Sequence, residues 1–452
     1  MNPLLSRAWR DFLYVYHSPP PMNSPHLPTA EEIWQTRSQL PPDLIRETPL
    51  LHAERLSALQ GNPVYIKDEG QQKVRSYKGR GSAAKMLALT EEQRQQGVVC
   101  ASAGNHAQGV AAACNYFQTR GTIFMPTITP QQKIDATQRH GNGFTDITLH
   151  GDTFDETASE ARRYAEEHHA AFLHPFDDWD VIRGQGTVGA EIAKQAAEMR
   201  MDLKAVLLPV GGGGLMASTI LALKDSHPDT QIIGAEPQEA ASMSASLEAG
   251  EPVTLPTMDT FVDGAAVARP GDRPFSVISK AVAEGRARMV TVSKGLLCAT
   301  MADLFQVDGM LTEPAGALSI AALDHVNHEI DGAIACVLSG TNFDIQRFQS
   351  ILEYAALHRR TKVYLGIHLP NRPAALREML DALGSLLDAV NITFINFDTD
   401  QTNGDPSLHI RFESKTGEPR DINTLLNQLR AMKGKDDHPI YPFHEYTSKP
   451  KM

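Results

Sequence analysis

The run QQKVRSYKGRG, Gln71 to Gly81, sets Lys78 between an aromatic residue and a glycine, among hydroxyl and cationic side chains. A lysine amine becomes a nucleophile or a base when its surroundings control its charge and direction. Such a role needs partners elsewhere in the chain; without them Lys78 is one more surface lysine at a helix start. Gly211–Gly214 follows the apolar run AVLLPV and opens the run LMASTILALK. Helix N-termini carry unpaired N–H groups and partial positive charge, so they bind anions. Four residues without Cβ let the backbone close around a phosphate, at about 0.5–1 kcal/mol of chain entropy each. The bland reading is a flexible turn.

Two further loops have the same setting. SAGNHAQG, Ser102 to Gly109, lies between an apolar run and an alanine-rich one. Its small residues and Asn105 suit a carboxylate or a ring hydroxyl, although a Ser/Asn helix cap explains much of it. Ser339 ends the apolar run IACVL, where a serine is usually a turn former. Glu313, in EPAGA, reads as the acid that favours a helix N-terminus. In parallel sheets ligands bind at the carboxyl ends of the strands, so the three loops can converge on one crevice. A rival remains at the glycine string. Glu236 ends the next strand just over twenty residues on, as the ribose-binding acid does in a dinucleotide fingerprint. Against it, Met216 stands where that fingerprint has its third glycine.

The elements that must position these residues alternate strand and helix, from NPVYIKDE through GAIACVLSG. Near-continuous apolar strands in such an alternation predict parallel sheets covered on both faces. We expect an α/β architecture of two lobes over 30–350, with the smaller lobe at about 86–184. A joint at 351–360 leads to an α+β tail over 361–446, ordered strand, helix, strand, strand, helix. Residues 1–29 read as a flexible arm, with Met22 an alternative start, rather than a signal peptide.

A chain of 452 residues exceeds one core, which agrees with several domains. The net charge of -12 argues against a nucleic-acid partner and an anionic membrane. No apolar run reaches the roughly 18 residues that span a bilayer. The four cysteines show neither CxxC nor zinc-like spacing, and the seventeen histidines form no HExxH motif. No metal site is expected, and a reducing, cytoplasmic setting fits best.

Together RSYKGRG, SAGNHAQG, HPFDDWDVIRGQGTVGAEI, PVGGGGL, EPAGA and LSGTN resemble the biosynthetic threonine dehydratases, spread over about 310 residues in family order. These are pyridoxal 5'-phosphate (PLP) enzymes of the tryptophan-synthase-β-like fold. The resemblance implies that Lys78 binds PLP covalently and then takes the Cα proton of the substrate. It places Tyr77 beside the ring and Asn105 at the ring hydroxyl. Gly211, Gly212, Gly213, Gly214 and Leu215 would hold the phosphate, and Ser339 would face the ring nitrogen. Ser102, Ala103, Gly104, His106 and Glu313 would frame the amino-acid substrate. A hydroxyl at the ring nitrogen, in place of a carboxylate, favours β-elimination over transamination. The tail resembles a single ACT-like regulatory domain, implying an amino-acid effector, isoleucine foremost, and a homo-oligomer, a tetramer above others. A serine-preferring dehydratase or racemase of the same family would share every cofactor residue. The sequence departs from the family at Thr341, where a glycine is expected. It also has Ser242 where racemase-type relatives place a metal-binding acid.

Overall fold

The computed structural model describes residues 26–326, 330–369, 374–398, 407–433 and 441–446. Most of the arm predicted at the N-terminus, both alternative starts included, lies outside them. The chain divides into two compact units, 1–291 with 322–342, and 292–321 with 343–452.

The first unit holds two sheets. The larger contains β1 (Leu50–His52), β2 (Val64–Asp68), β7 (Leu203–Pro209), β8 (Gln231–Pro237), β9 (Ala287–Val292) and β10 (Ala333–Leu338), in the order β1-β2-β10-β7-β8-β9. Its β2–β10, β10–β7 and β7–β8 pairs are parallel, and β1 joins antiparallel at one edge. The smaller sheet is parallel throughout: β3 (Val98–Ala101), β4 (Gly121–Met125), β5 (Thr145–Leu149) and β6 (Ala171–Phe172), in the order β5-β4-β3-β6.

All six residues of β10 are buried. All ten residues of the helix Gly214–Leu223 are buried too. Burying an aliphatic side chain fully stabilises by about 1.5–3 kcal/mol. Covered on both faces, the strands leave only their ends for chemistry. The ends of the adjacent strands β7 and β10 lead into Gly211 and Ser339. β3 ends one residue before Ser102, and the helix Asn105–Phe117 follows.

In the second unit, β11 (Lys362–His368), β12 (Val390–Asp398), β13 (Ser407–Ser414) and β14 (Phe443–Tyr446) form an antiparallel sheet, β12-β13-β11-β14. With the helices Ala375–Leu383 and Pro419–Ala431, this is the βαββαβ order of a ferredoxin-like domain. Leu365, Ile367, Leu408, Ile410 and Phe412 pack under Met379, Leu383, Leu425 and Leu429 of the two helices. The same unit holds Lys294–Gln306, Pro314–Ala321 and the helix Phe348–His358, which runs through most of 351–360. Arg359 ties that last helix to Lys294–Gln306, donating to Ala299 O at 2.9 Å and to the Asp303 carboxylate at 2.6 Å.

Candidate active site

Lys78 is the first residue of the helix Lys78–Ala88, whose N-cap, Tyr77, offers no side-chain cap. The segment before it is zipped to the end of β10. Tyr77 N–H donates to Ser339 O at 3.1 Å, Thr341 N–H donates to Arg75 O at 2.9 Å, and Ser76 pairs antiparallel with Gly340. Thr341 fits because Gly70 faces it: a Cβ on Gly70 would lie 2.3 Å from Thr341 Cγ2. Ser339 is thereby buried beside the lysine's segment, at 3 % exposure. The Lys78 ammonium lies 5.3 Å from the centroid of the Tyr77 ring and donates to Pro175 O at 3.0 Å.

Pro175 leads directly to the glycine string. The Phe176 ring covers Gly212 so closely that a Cβ there would lie 2.4 Å from its atoms. Gly213 adopts φ +88°, a left-handed conformation that L side chains resist, and a Cβ on it would lie 2.6 Å from Met243 Cε. Gly271 N–H donates to Gly212 O at 3.2 Å from the other side. The helix Gly214–Leu223 has no side-chain cap, so its first N–H groups are left for the loop they face. Leu215 is buried in its first turn.

The Ser102 loop forms a second uncapped helix start. Ser102 Oγ accepts from Gly104 N–H at 3.2 Å, and Gly104 is the N-cap of Asn105–Phe117 with no side-chain cap. Capping by Ser or Asn therefore does not account for this loop. Space within 4 Å of a Cβ built on Gly104 is empty, and Ala103 is half-buried beside it. Asn105 Oδ1 accepts from Asn342 Nδ2 at 2.7 Å, which orients its amide.

His106 is buried and makes a 2.9 Å contact from Nε2 to Leu173 O, leaving Nδ1 without a hydrogen-bond partner. Burial, then the nearby Lys78 charge, push its pKa down to about 3. His174 Nδ1 accepts from the N–H groups of Phe176 and Asp177, at 3.3 and 2.8 Å. Its pKa is pushed down to about 4, by burial above all. Two neutral imidazoles thus flank the lysine.

The structure brings Lys78, Tyr77, Ser339, the Ser102 loop and the glycine string together within the first unit. Glu313 belongs to the second unit, where it is buried just ahead of the helix Pro314–Ala321. His174 and Phe176 carry parts of the site that reading loop by loop did not assign. Their signal was the motif HPFDDWD, singled out without a role.

Glu236 is fully buried at the end of β8 and caps the helix Ser242–Ala249. It accepts from Met243 N–H at 2.7 Å, Ser244 N–H at 2.9 Å and Ser244 Oγ at 2.7 Å. A carboxylate so occupied does not suit a ribose, which removes the support for a dinucleotide. Among the described residues no cluster of three or more His, Cys, Asp or Glu could hold a metal ion. No described helix is long and apolar enough to cross a membrane.

The residues fit a phosphorylated pyridine aldehyde. The segment that carries the lysine is hydrogen-bonded to a buried serine, and glycines that admit no Cβ precede an uncapped helix start. Residues 42–340 match the family described as pyridoxal-phosphate dependent enzymes, so fold and site define that class. The biosynthetic L-threonine dehydratase of Corynebacterium glutamicum is 40% identical over 406 residues, 89% of this chain and 92% of that one. Its counterpart in Lactococcus lactis is 43% identical over 354 residues, 78% and 84% of the two chains. The processed threonine deaminase isoform 2 of Solanum lycopersicum superposes with a TM-score of 0.66 at 38% identity, over 75% of this chain and 99% of that one. Maize serine racemase gives 0.66 at 26% identity, over 74% and 99%. The chain belongs to the biosynthetic threonine dehydratases, and its cofactor is pyridoxal 5'-phosphate.

Proposed function

We propose that Lys78 binds the cofactor and moves the substrate's Cα proton in the conversion of L-threonine to 2-oxobutyrate and ammonia. The protein is a carbon–nitrogen lyase of amino-acid biosynthesis, in keeping with its family. Over the reaction, threonine loses its Cα hydrogen and its β-hydroxyl as water. The enamine so formed takes water back and releases ammonia. Bound PLP supplies an electrophilic carbonyl and an electron-withdrawing ring.

The other roles belong to this chain. Amides of Gly211–Leu215 hold the phosphate, since the helix behind them is uncapped. Tyr77 lies beside the ring, and Asn105, steadied by Asn342, meets the ring hydroxyl. Ser339 offers the ring nitrogen a hydroxyl and no charge. Ser102, Ala103, Gly104 and His106 orient the substrate carboxylate, with Glu313 assigned to substrate binding. Fixing reactants in this way is worth up to roughly 7–11 kcal/mol in favourable cases.

The observation that carries the reading is the placement of the Lys78 amine. It sits 3.0 Å from Pro175 O, one residue before the ring that covers the glycine string. Borohydride reduction and peptide mapping test it: a pyridoxyl group is expected on Lys78, and an unlabelled Lys78 overturns the assignment. A keto-acid assay with threonine and serine, run beside chiral analysis of serine, distinguishes a threonine enzyme from a serine-preferring dehydratase or racemase. The likeness to maize serine racemase makes that comparison worthwhile.

The 30–350 segment is assigned as the catalytic domain and 361–446 as an ACT-like regulatory domain, joined by 351–360. The latter senses an amino acid, isoleucine first, within a cytoplasmic homo-oligomer, a tetramer above others. The ferredoxin-like order of the tail supports this reading. Truncation after Arg360 should abolish isoleucine inhibition; unchanged inhibition overturns the regulatory assignment.

A further inference from the structure

Two residues beyond Lys78, on the same helix, Arg80 is wholly buried. Residues i and i+2 of a helix point in different directions, so the guanidinium reaches away from the lysine amine. Behind the helix it meets two buried carboxylates. Its Nε and Nη2 donate to Glu69 at 2.7 and 2.8 Å, and its Nη1 and Nη2 donate to Glu191 at 2.8 Å each. Thr187 Oγ1 accepts from Nη1 at 3.1 Å, and Arg46 O accepts from Nη2 at 3.3 Å. Lys67, also fully buried, donates to Glu191 at 2.7 Å, to Thr48 O at 2.7 Å and to Gln195 at 2.9 Å. Burial alone would raise the Glu191 carboxyl, but Arg80 and Lys67 outweigh it and hold the group down at about 2.

Four buried ions are a costly way to stabilise a fold. Well-packed apolar residues often do as well or better, so such a cluster is weak evidence for stability. Its connections indicate another use. Lys67 lies on β2, Glu69 in the turn after it, Arg80 in the lysine's helix, and Glu191 in the helix Trp179–Glu198. β2 pairs in register with β10, Asp68 opposite Leu338, next to Ser339. Trp179–Glu198 begins three residues after Phe176, which covers the glycine string. One planar, five-donor group therefore links the elements that carry the amine, the serine and the phosphate loop. A guanidinium holds two carboxylates at fixed angles; a lysine in its place presents a single point of charge.

We propose that Arg80 is a positioning residue, which fixes the first turn of Lys78–Ala88 from behind and so aims the Lys78 amine at the cofactor. The inference rests on the reading of Lys78 given above. A displacement of about 1 Å at a reacting group can lower a rate about a hundredfold. Arg80→Lys should therefore lower kcat with threonine by about 10–100-fold while KM moves far less. The visible circular dichroism of the bound cofactor, which reports its fixed orientation, should change as well. Glu69→Gln keeps the shape of the clamp but weakens one arm, and should act in the same direction more mildly. Ile134→Ala, a cavity in the smaller lobe, serves as a variant of matched Tm loss with wild-type kcat and dichroism.

Arg80→Lys that lowers Tm while leaving kcat and dichroism at wild-type values overturns the proposal. So does an Ile134→Ala variant that shows the same kinetic loss. If Arg80→Lys does not fold, the kcat and dichroism of Glu69→Gln decide in the same two directions. Failure of the underlying reading looks different: the wild-type protein itself would carry no reducible cofactor on Lys78.

Discussion

Strands β7 and β10 of the first unit are buried on both faces, whereas β13 of the second alternates, burying Leu408, Ile410 and Phe412 and leaving His409 and Arg411 half-buried on the other face. On that second face stand His368, His409, His444, Arg411 and Tyr446, with Tyr446 Oη 3.1 Å from His409 Nδ1 and the His444 ring T-shaped against Tyr446. A doubly covered sheet has no free face for polar chemistry, so function gathers at strand ends and in loops. A strand that alternates buried and half-buried residues can set polar groups along one of its faces. The difference shows where a substitution reaches the reaction and where it is absorbed at the surface.

The largest expected effect lies at the strand ends. Lys78→Ala should cut threonine turnover by at least about 10²–10⁴-fold, measured as 2-oxobutyrate formed by protein of matched fold. Retained activity would end the assignment of chemistry to the first unit. Next come two glycines with equally close neighbours. Gly212→Val drives a branched side chain into the Phe176 ring inside the site, a clash worth about 1–3 kcal/mol that should appear as weaker PLP retention on gel filtration. Gly366→Val meets His444 at 2.2 Å, but it meets the far end of an exposed ring that can swing away. Its cost should stay below about 0.5 kcal/mol in urea titration, with kcat unchanged. Equal costs at the two glycines would erase the contrast.

Acid sensitivity ranks between these two glycines. His106 has its pKa depressed from 6.5 to about 3, so the unfolded chain binds its proton first as pH falls. Stability from this group is complete above pH 6.5 and is lost as pH falls from there toward 3. Between pH 7 and 5 the loss is about 2 kcal/mol, read from urea midpoints. His174 adds to it with the same sign. His106→Gln should flatten that slope, and an unchanged slope would show that the buried imidazole does not titrate on unfolding.

Much of the site could be read from local text. Lys78, the four glycines, the Ser102 loop and Ser339 each lie within a few residues of the strand or helix end that gives them meaning. The alternation of apolar runs marked most parallel strands, and the tail's change of order marked the antiparallel sheet. Not marked were β1, β6 and β14, of 3, 2 and 4 residues, too short to show a period. β9 also went unmarked, its ARMVTV run being half-buried and without a clean alternation. Residue types and local spacing are enough to name an amine, a phosphate loop and a family, because backbone amides and helix starts act over a few residues. The placement of Lys78 against Pro175, 97 residues away, and of Arg80 against Glu191, 111 residues away, was decided by packing alone. Burial of a charge, and the partner that makes burial tolerable, are properties of a folded interior that no stretch of chain possesses by itself.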